Sequence, residues 1–174
     1  LDASLKYYPL VENTHHEGIL RLTIAPAQNI PKSLQKKAEE YMHSLINEMD
    51  HVGVMTLELF DSSDELIVNE IAPRVHNSGH WTIEGAQTSQ FENHIRAITN
   101  SPLGATSIKS SFNAMINIIG MHGQTSKVLE TKNAHLHLYD KEERKGRKLG
   151  HITLTSNSME ELNKSIDSLK EYLP

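Results

Sequence analysis

An α+β fold is what this sequence predicts. Apolar-rich runs come in pairs joined by short polar connections, as antiparallel hairpins require. Between and after them lie segments whose apolar residues recur at helical spacing. The first pair is 5–11 and 19–25, expected as a strand and its returning partner around a polar loop at 12–18. Pro31 then opens a helix over 32–50, striped by Leu34, Ala38, Met42, Leu45, Ile46 and Met49. Residues 52–60 and 66–72 form the second strand pair, with 61–65 as the hairpin connection. A helix over about 88–100 carries Phe91, Ile95 and Ile98 on one face, and Ser101-Pro102-Leu103-Gly104 ends it. From Ser110 the expected order is strand 112–119, short helix 123–130, strand 134–139, charged loop 140–148 and strand 151–155. Ser158 and Glu161 make a capping box for a last helix striped by Met159, Leu162, Ile166, Leu169 and Leu173. A domain boundary is expected near 105, dividing the chain into 1–105 and 106–174.

At 174 residues, 37% hydrophobic and 22% charged, the composition is that of a soluble globular chain with enough length to bury a core. No apolar run approaches the ~20 residues of a membrane span, and no signal peptide is evident. The absence of cysteine excludes disulfides and thiolate metal sites and fits a cytoplasmic protein. A formal net charge of −5 argues against general nucleic-acid binding. Leu1 stands where a start methionine would, and the chain is expected to be the C-terminal portion of a longer protein.

The chemistry concentrates in 69–82, Asn69-Glu70-Ile71-Ala72-Pro73-Arg74-Val75-His76-Asn77-Ser78-Gly79-His80-Trp81-Thr82. Glu58 and Glu70 each interrupt an apolar strand, where an uncompensated carboxylate is expensive to desolvate. Pairing 60 with 66 sets 58 opposite 68 and leaves Glu70 diagonally across on the same face, within reach of one divalent ion. Two solvent-facing acids are the alternative. Asn69 points to the other face unless the strand bends there. Arg74 offers a fork for phosphate or carboxylate, and His76 and His80 offer switchable donors. A plain surface loop with a packed tryptophan is the competing reading.

Residues 141–148, Lys-Glu-Glu-Arg-Lys-Gly-Arg-Lys, hold five of the 17 basic residues and read either as a solvated turn or as cations converging on an anion. His15 and His16 lack a third zinc ligand at suitable spacing, so a nucleotide or anion suits them better. No Gly-x-Ser-x-Gly turn, Walker loop or dinucleotide fingerprint is present.

The 69–82 block resembles the signature of the N5-carboxyaminoimidazole ribonucleotide synthetases, ATP-grasp ligases of purine biosynthesis. The likeness extends over nearly the whole chain. It takes in Tyr8-Pro9-Leu10-Val11-Glu12-Asn13 with His15 and Gly18-Ile19-Leu20, then Val52-Gly53-Val54-Met55, Ser89-Gln90-Phe91-Glu92 and Arg96-Ala97-Ile98. It resumes in His137-Leu138-Tyr139-Asp140-Lys141, Arg144 and Gly146-Arg147-Lys148-Leu149-Gly150-His151. The resemblance implies the second half of an ATP-grasp fold followed by a small C-terminal α/β domain. It implies ATP-dependent carboxylation of 5-aminoimidazole ribonucleotide by bicarbonate, through carboxyphosphate, with ADP and phosphate released. Glu58 and Glu70 would hold magnesium or manganese against the ATP phosphates, Asn69 and Glu70 would border the nucleotide, and His15 would lie near ATP. Arg74 and His76 would face the bicarbonate-derived group and the imidazole, acting in catalysis, with Asn77 and Ser78 beside them at the substrate. Lys141, Arg144, Arg147 and Lys148 would meet the ribonucleotide phosphate. A homodimer is implied as well.

His16 and Glu17 depart from the Gln and Asp that relatives often carry. The family's first domain and the subdomain that covers the ATP phosphates have no counterpart here, so the isolated chain is expected to be inactive. Another ATP-grasp ligase, of formate-dependent transformylase or biotin carboxylase type, and a non-catalytic binding module are the competing functions.

Overall fold

The computed structural model describes residues 4–62 and 65–173. Two antiparallel sheets organise them. One is five-stranded, in the order β1-β2-β5-β7-β6, and the other is the two-stranded ribbon β3-β4. The strands are β1 (Glu12–His16), β2 (Ile19–Ala25), β3 (Thr56–Ser62), β4 (Glu65–Ala72), β5 (Phe112–Ile119), β6 (Ala134–Leu138) and β7 (Lys148–Ser156). The helices are α1 (Lys32–Glu48), α2 (Thr82–Gly85), α3 (Gln90–Ile98), α4 (Thr125–Glu130) and α5 (Met159–Ser168), with single 3-10 turns at Asn77–Gly79 and Lys170–Tyr172. No helix among them is long and apolar enough to cross a membrane.

The helix expected from Pro31 and the strand expected at 112–119 form where the spacing places them. The first hairpin differs. Residues 5–11 join no ladder, and the supposed loop at 12–18 supplies β1 and its turn. Glu17 and Gly18 both take positive φ, 50° and 73°, the pattern of a tight two-residue hairpin turn. β1 is an edge strand exposed along most of its length, so no buried face wrote an apolar alternation into it. The 4–11 segment is fixed instead by individual bonds. Ala27 N–H donates to Leu10 O (2.7 Å), Leu10 N–H to Gln35 Oε1 (2.8 Å) and Tyr8 Oη to Thr88 O (2.8 Å). Ser63 and Asp64, in the expected second connection, lie outside the described residues.

In α3 the apolar stripe faces outward: Phe91, Ile95 and Ile98 are exposed, while Gln90 and Asn93 are buried. β7 begins three residues earlier than expected, which makes Lys148 a strand residue and shortens the charged loop. The α5 cap forms on one side, with Ser158 Oγ accepting from Glu161 N–H at 3.4 Å. The return bond of a capping box is rerouted through Ser156, whose hydroxyl accepts from Ser158 N–H and donates to Glu161.

One face of the large sheet is apolar. Ala114, Ile116, Ile118, Ile152 and Leu154 pack against Val128, Leu162, Ile166, Leu169 and Tyr172 from the helical layer. The opposite face presents Thr23, Asn113, Met115, Asn117, His151 and Thr153, and the 77–86 segment lies over it. There Trp81 and Ala86 join Leu20, Ala25 and Met115 in a second, smaller core. The expected division near 105 falls between α3 and β5, and the β2–β5 pairing draws strands from both sides of it into one sheet.

Candidate functional site

The β3–β4 ribbon positions the two acids by a bulge. Thr56 pairs with Ala72, Leu57 with Ile71 and Glu58 with Glu70, but Leu59 then pairs with Val68. Asn69 is therefore the extra residue. The ribbon already runs one residue off the expected pairing, with Phe60 opposite Ile67, and the bulge adds a second step, so Glu58 stands directly opposite Glu70 rather than Val68. The bulge also swings Asn69 toward Glu58, and its amide Nδ2 donates to Glu58 Oε2 at 3.4 Å. Directly opposed carboxylates repel each other across an antiparallel pair, which suits a site completed by a cation. His76 Nε2 lies 3.7 Å from the other Glu58 oxygen.

The 73–82 loop is tied down by its neighbours. Buried Gln90 brackets His76: its Oε1 accepts from His76 N–H (2.9 Å) and its Nε2 donates to His76 O (2.7 Å). The same Nε2 donates to His80 Nδ1 at 2.9 Å. Ser78 donates through its backbone N–H and its hydroxyl to His76 Nδ1, which leaves the proton of the neutral ring on Nε2, facing Glu58. Asn77 and Asn117 exchange amide bonds of 2.9 and 2.7 Å, and Asn117 also donates to Leu20 O. Asn77 and Ser78 are thus engaged within the protein and orient the loop. Burial lowers the pKa of His76, opposed by Glu58 and Glu70 and reinforced by Arg74 and Lys148.

Lys148 brings the charged loop into the same cluster. Burial lowers its pKa, Glu58 and Glu70 raise it, and Arg74 and Lys141 lower it. Four elements therefore converge: β3 with Glu58, β4 with Asn69 and Glu70, the following loop with Arg74 and His76, and β7 with Lys148. Lys141 sits 5.3 Å over the Tyr139 ring. Arg144 and Arg147 lie in the loop's tip. No salt bridge among the described residues engages Lys141, Arg144, Lys145, Arg147 or Lys148, whereas Lys36, Arg96, Lys127 and Lys164 each pair with a glutamate. His15, on the β1 edge strand, shares with Glu58 and Asn69 the lining of a cavity of about 1100 Å³, which extends under α1.

Among the described residues no group of three or more His, Asp or Glu side chains could hold a metal ion. Two carboxylates and an amide oxygen remain, a hard-oxygen set that fits magnesium, which completes its shell with water and substrate phosphates.

Behind the site stands a layer that sequence reasoning missed. His137 and His151, opposite each other on β6 and β7, stack with centroids 4.4 Å apart. His137 Nε2 meets Glu84 Oε1 at 2.8 Å, and Tyr139 Oη and His151 Nδ1 share a hydrogen bond of 2.7 Å. Burial drives His151 down to about 3 and His80 down to about 4, so both rings are neutral. The one signal available was the strand Phe-Asn-Ala-Met-Ile-Asn-Ile-Ile, whose two asparagines four apart share a face.

Comparison with known proteins gives the chain its relatives. Residues 1–91 match the ATP-grasp domain model, and 113–165 match that of the phosphoribosylaminoimidazole carboxylase C-terminal domain. A relative from Pseudomonas aeruginosa, an N5-carboxyaminoimidazole ribonucleotide synthase, is 48% identical over 153 residues, covering 88% of this chain and 41% of its own length. The crystal structure of N5-carboxyaminoimidazole ribonucleotide synthetase from Thermus thermophilus aligns with a TM-score of 0.93 at 51% identity, over 96% of this chain and 46% of that one. The synthase from Aspergillus clavatus, solved with ADP and 5-aminoimidazole ribonucleotide, aligns with a TM-score of 0.87 at 38% identity, over 95% and 46% of the two chains. The chain spans less than half the length of these relatives.

Proposed function

The chain belongs to the ATP-grasp family, and from that premise we propose that it carries the metal-facing and phosphate-facing part of a ligase. The reaction is carboxylation of 5-aminoimidazole ribonucleotide by bicarbonate, driven by cleavage of ATP to ADP and phosphate. One observation supports this most strongly: Glu58 opposes Glu70 across a bulged ribbon, beside the neutral His76 ring and the cations Arg74 and Lys148. Phosphoryl transfer needs divalent charge at the nucleotide phosphates and fixed cations at the acceptor.

In this reading Glu58 and Glu70 hold Mg2+, which when bound neutralises charge on the ATP phosphates. Asn69 steadies Glu58 and borders the nucleotide, with His15 across the cavity. Arg74 lies where a carboxyphosphate-like anion would be bound. His76, neutral and carrying its proton on Nε2, donates a hydrogen bond there without adding charge. Lys148 and Lys141, with Arg144 and Arg147 beyond them, receive the ribonucleotide phosphate. Asn77 and Ser78 act at the substrate by orienting His76. The units 1–105 and 106–174 divide these tasks, the first taking nucleotide and metal and the second the phosphate. A cytoplasmic homodimer belongs to the same reading, which rests for that on the resemblance and the cysteine-free composition.

The deciding experiment measures ADP release by the whole enzyme. Release is expected only when bicarbonate and aminoimidazole ribonucleotide are both present. Release that is indifferent to both, or that formate or biotin supports instead, would sink the assignment. The 174-residue chain alone is expected to release none.

A further inference from the structure

The loop that joins β6 to β7 packs five cations into eight positions and still follows a hydrogen-bonded path. Mutual repulsion would splay such a connection unless something outside it fixed the backbone. That fixture is the turn after β5. Gly120, at φ 80°, donates its N–H to Arg147 O at 2.9 Å. A side chain there would meet the main chain at Arg144 and Lys145 at 3.8 Å, so the two backbones are already packed together. Within the loop Arg147 N–H donates to Arg144 O at 3.0 Å across a turn that places Gly146 at φ 75°, where glycine is favoured.

Among the described residues, one side chain of the loop hydrogen-bonds to the turn. Glu143 accepts from His122 N–H at 2.8 Å and from His122 Nδ1 at 3.0 Å. The two hydrogen bonds from His122 lower its pKa, so it stays ionised. None of the neighbouring loop cations forms a salt bridge with it among the described residues. An acid within an anion-binding loop opposes the anion by Coulomb repulsion, so its direct charge contribution to anion binding has the wrong sign.

We infer that Glu143 is a positioning residue for the phosphate-binding cations: its two hydrogen bonds to His122 hold the 141–148 loop in the shape that lets Arg144, Arg147 and Lys148 converge on one anion. The inference rests on the proposed role of this loop and adds to it a residue of opposite charge.

Geometry and charge predict opposite signs, which makes the test decisive. If only charge matters, Glu143→Ala removes a repulsive acid and lowers KM for the ribonucleotide. If Glu143 positions the loop, the same change raises that KM by about tenfold, with kcat and the KM for ATP moving less than about twofold. Glu143→Gln, neutral but still able to accept from His122 N–H, recovers part of the loss. Steady-state kinetics of the whole enzyme reads all three quantities, and the exposed position of Glu143 spares the fold. An unchanged or lowered KM in Glu143→Ala overturns the inference. Lys148→Ala, assayed alongside, separates the causes. A raised KM there with none in Glu143→Ala defeats the clamp alone, whereas no change in either defeats the phosphate assignment as well.

Discussion

The two faces of the five-stranded sheet are built from the same strands and solve opposite problems. Toward α4 and α5 the deeply buried side chains of β5 and β7 are aliphatic, with Ile116, Ile118, Ile152 and Leu154 fully or almost fully buried. Toward the 77–86 segment, the alternating positions are Asn113, Asn117, His151 and Thr153, buried just as deeply. The apolar face needs only shape and volume. The polar face needs a partner for each donor and acceptor, and Asn113 Oδ1, His151 Nε2 and Thr153 Oγ1 have none among the described residues. A fold selected for stability alone has no use for that second face. Its bonds run instead to Asn77, and its rings to His80, which lie in the loop carrying Arg74 and His76. One face holds the protein together, and the other holds its site in place.

The contrast makes distinct predictions. Glu58→Gln leaves the sheet intact and removes a carboxylate from the proposed metal pair, so kcat of the whole enzyme should fall by about 10²–10³-fold. Its melting midpoint should hold or rise, because the repulsion between opposed acids is relieved. A large fall in the midpoint would show that Glu58 serves the fold instead. Ile152→Ala should do the reverse. It opens a cavity in the apolar face at a cost of about 2–5 kcal/mol, lowering the midpoint by roughly 5–15 °C. Calorimetry of the chain checks this, and the KM values of enzyme that remains folded should hardly move.

The smallest effect is a pH dependence confined to the polar face. His151 titrates near 3 and His80 near 4 in the fold, against 6.5 when exposed, with burial the leading cause of both shifts. Between those values the unfolded chain binds protons that the folded chain refuses, so stability falls as pH drops below about 6.5. Each histidine should cost on the order of 1–2 kcal/mol by about pH 5. Urea midpoints at about pH 7.5 and pH 5 read the slope, and His151→Gln should flatten it. An unaltered slope in that variant would count against a neutral buried His151.

The elements whose signal was local were legible in the sequence. Pro31 and the stripe after it announce α1, and Ser158 with Glu161 announces α5, because caps and helical spacing are written within a few residues. Failures occurred where neighbours decided the outcome. Nothing in Glu12-Asn13-Thr14-His15-His16 distinguishes a strand from a loop, since β1 buries almost nothing and is held by β2 alone. The stripe on α3 is evident from spacing, yet its direction depends on Tyr8 and Gly104, which bond Asn93 on the other side. The candidate site divides in the same way: residue types pointed to Glu58, Glu70, Arg74, His76 and Lys148, which the fold brings together, while Gln90, Asn117, Glu84 and His122 gave no sign of the bonds they make.

Residue chemistry and spacing determined which groups are proposed to act: two carboxylates stranded in apolar runs, a loop rich in donors, and a cluster of cations. Only the tertiary structure decided how they meet. It placed the bulge at Asn69 that sets Glu58 against Glu70, packed the loop on a polar sheet face, and joined Glu143 to a turn twenty-one residues away. The reason is physical. A side chain's charge and hydrogen-bonding capacity belong to the residue itself, whereas register, burial and approach depend on contacts between segments distant in the chain.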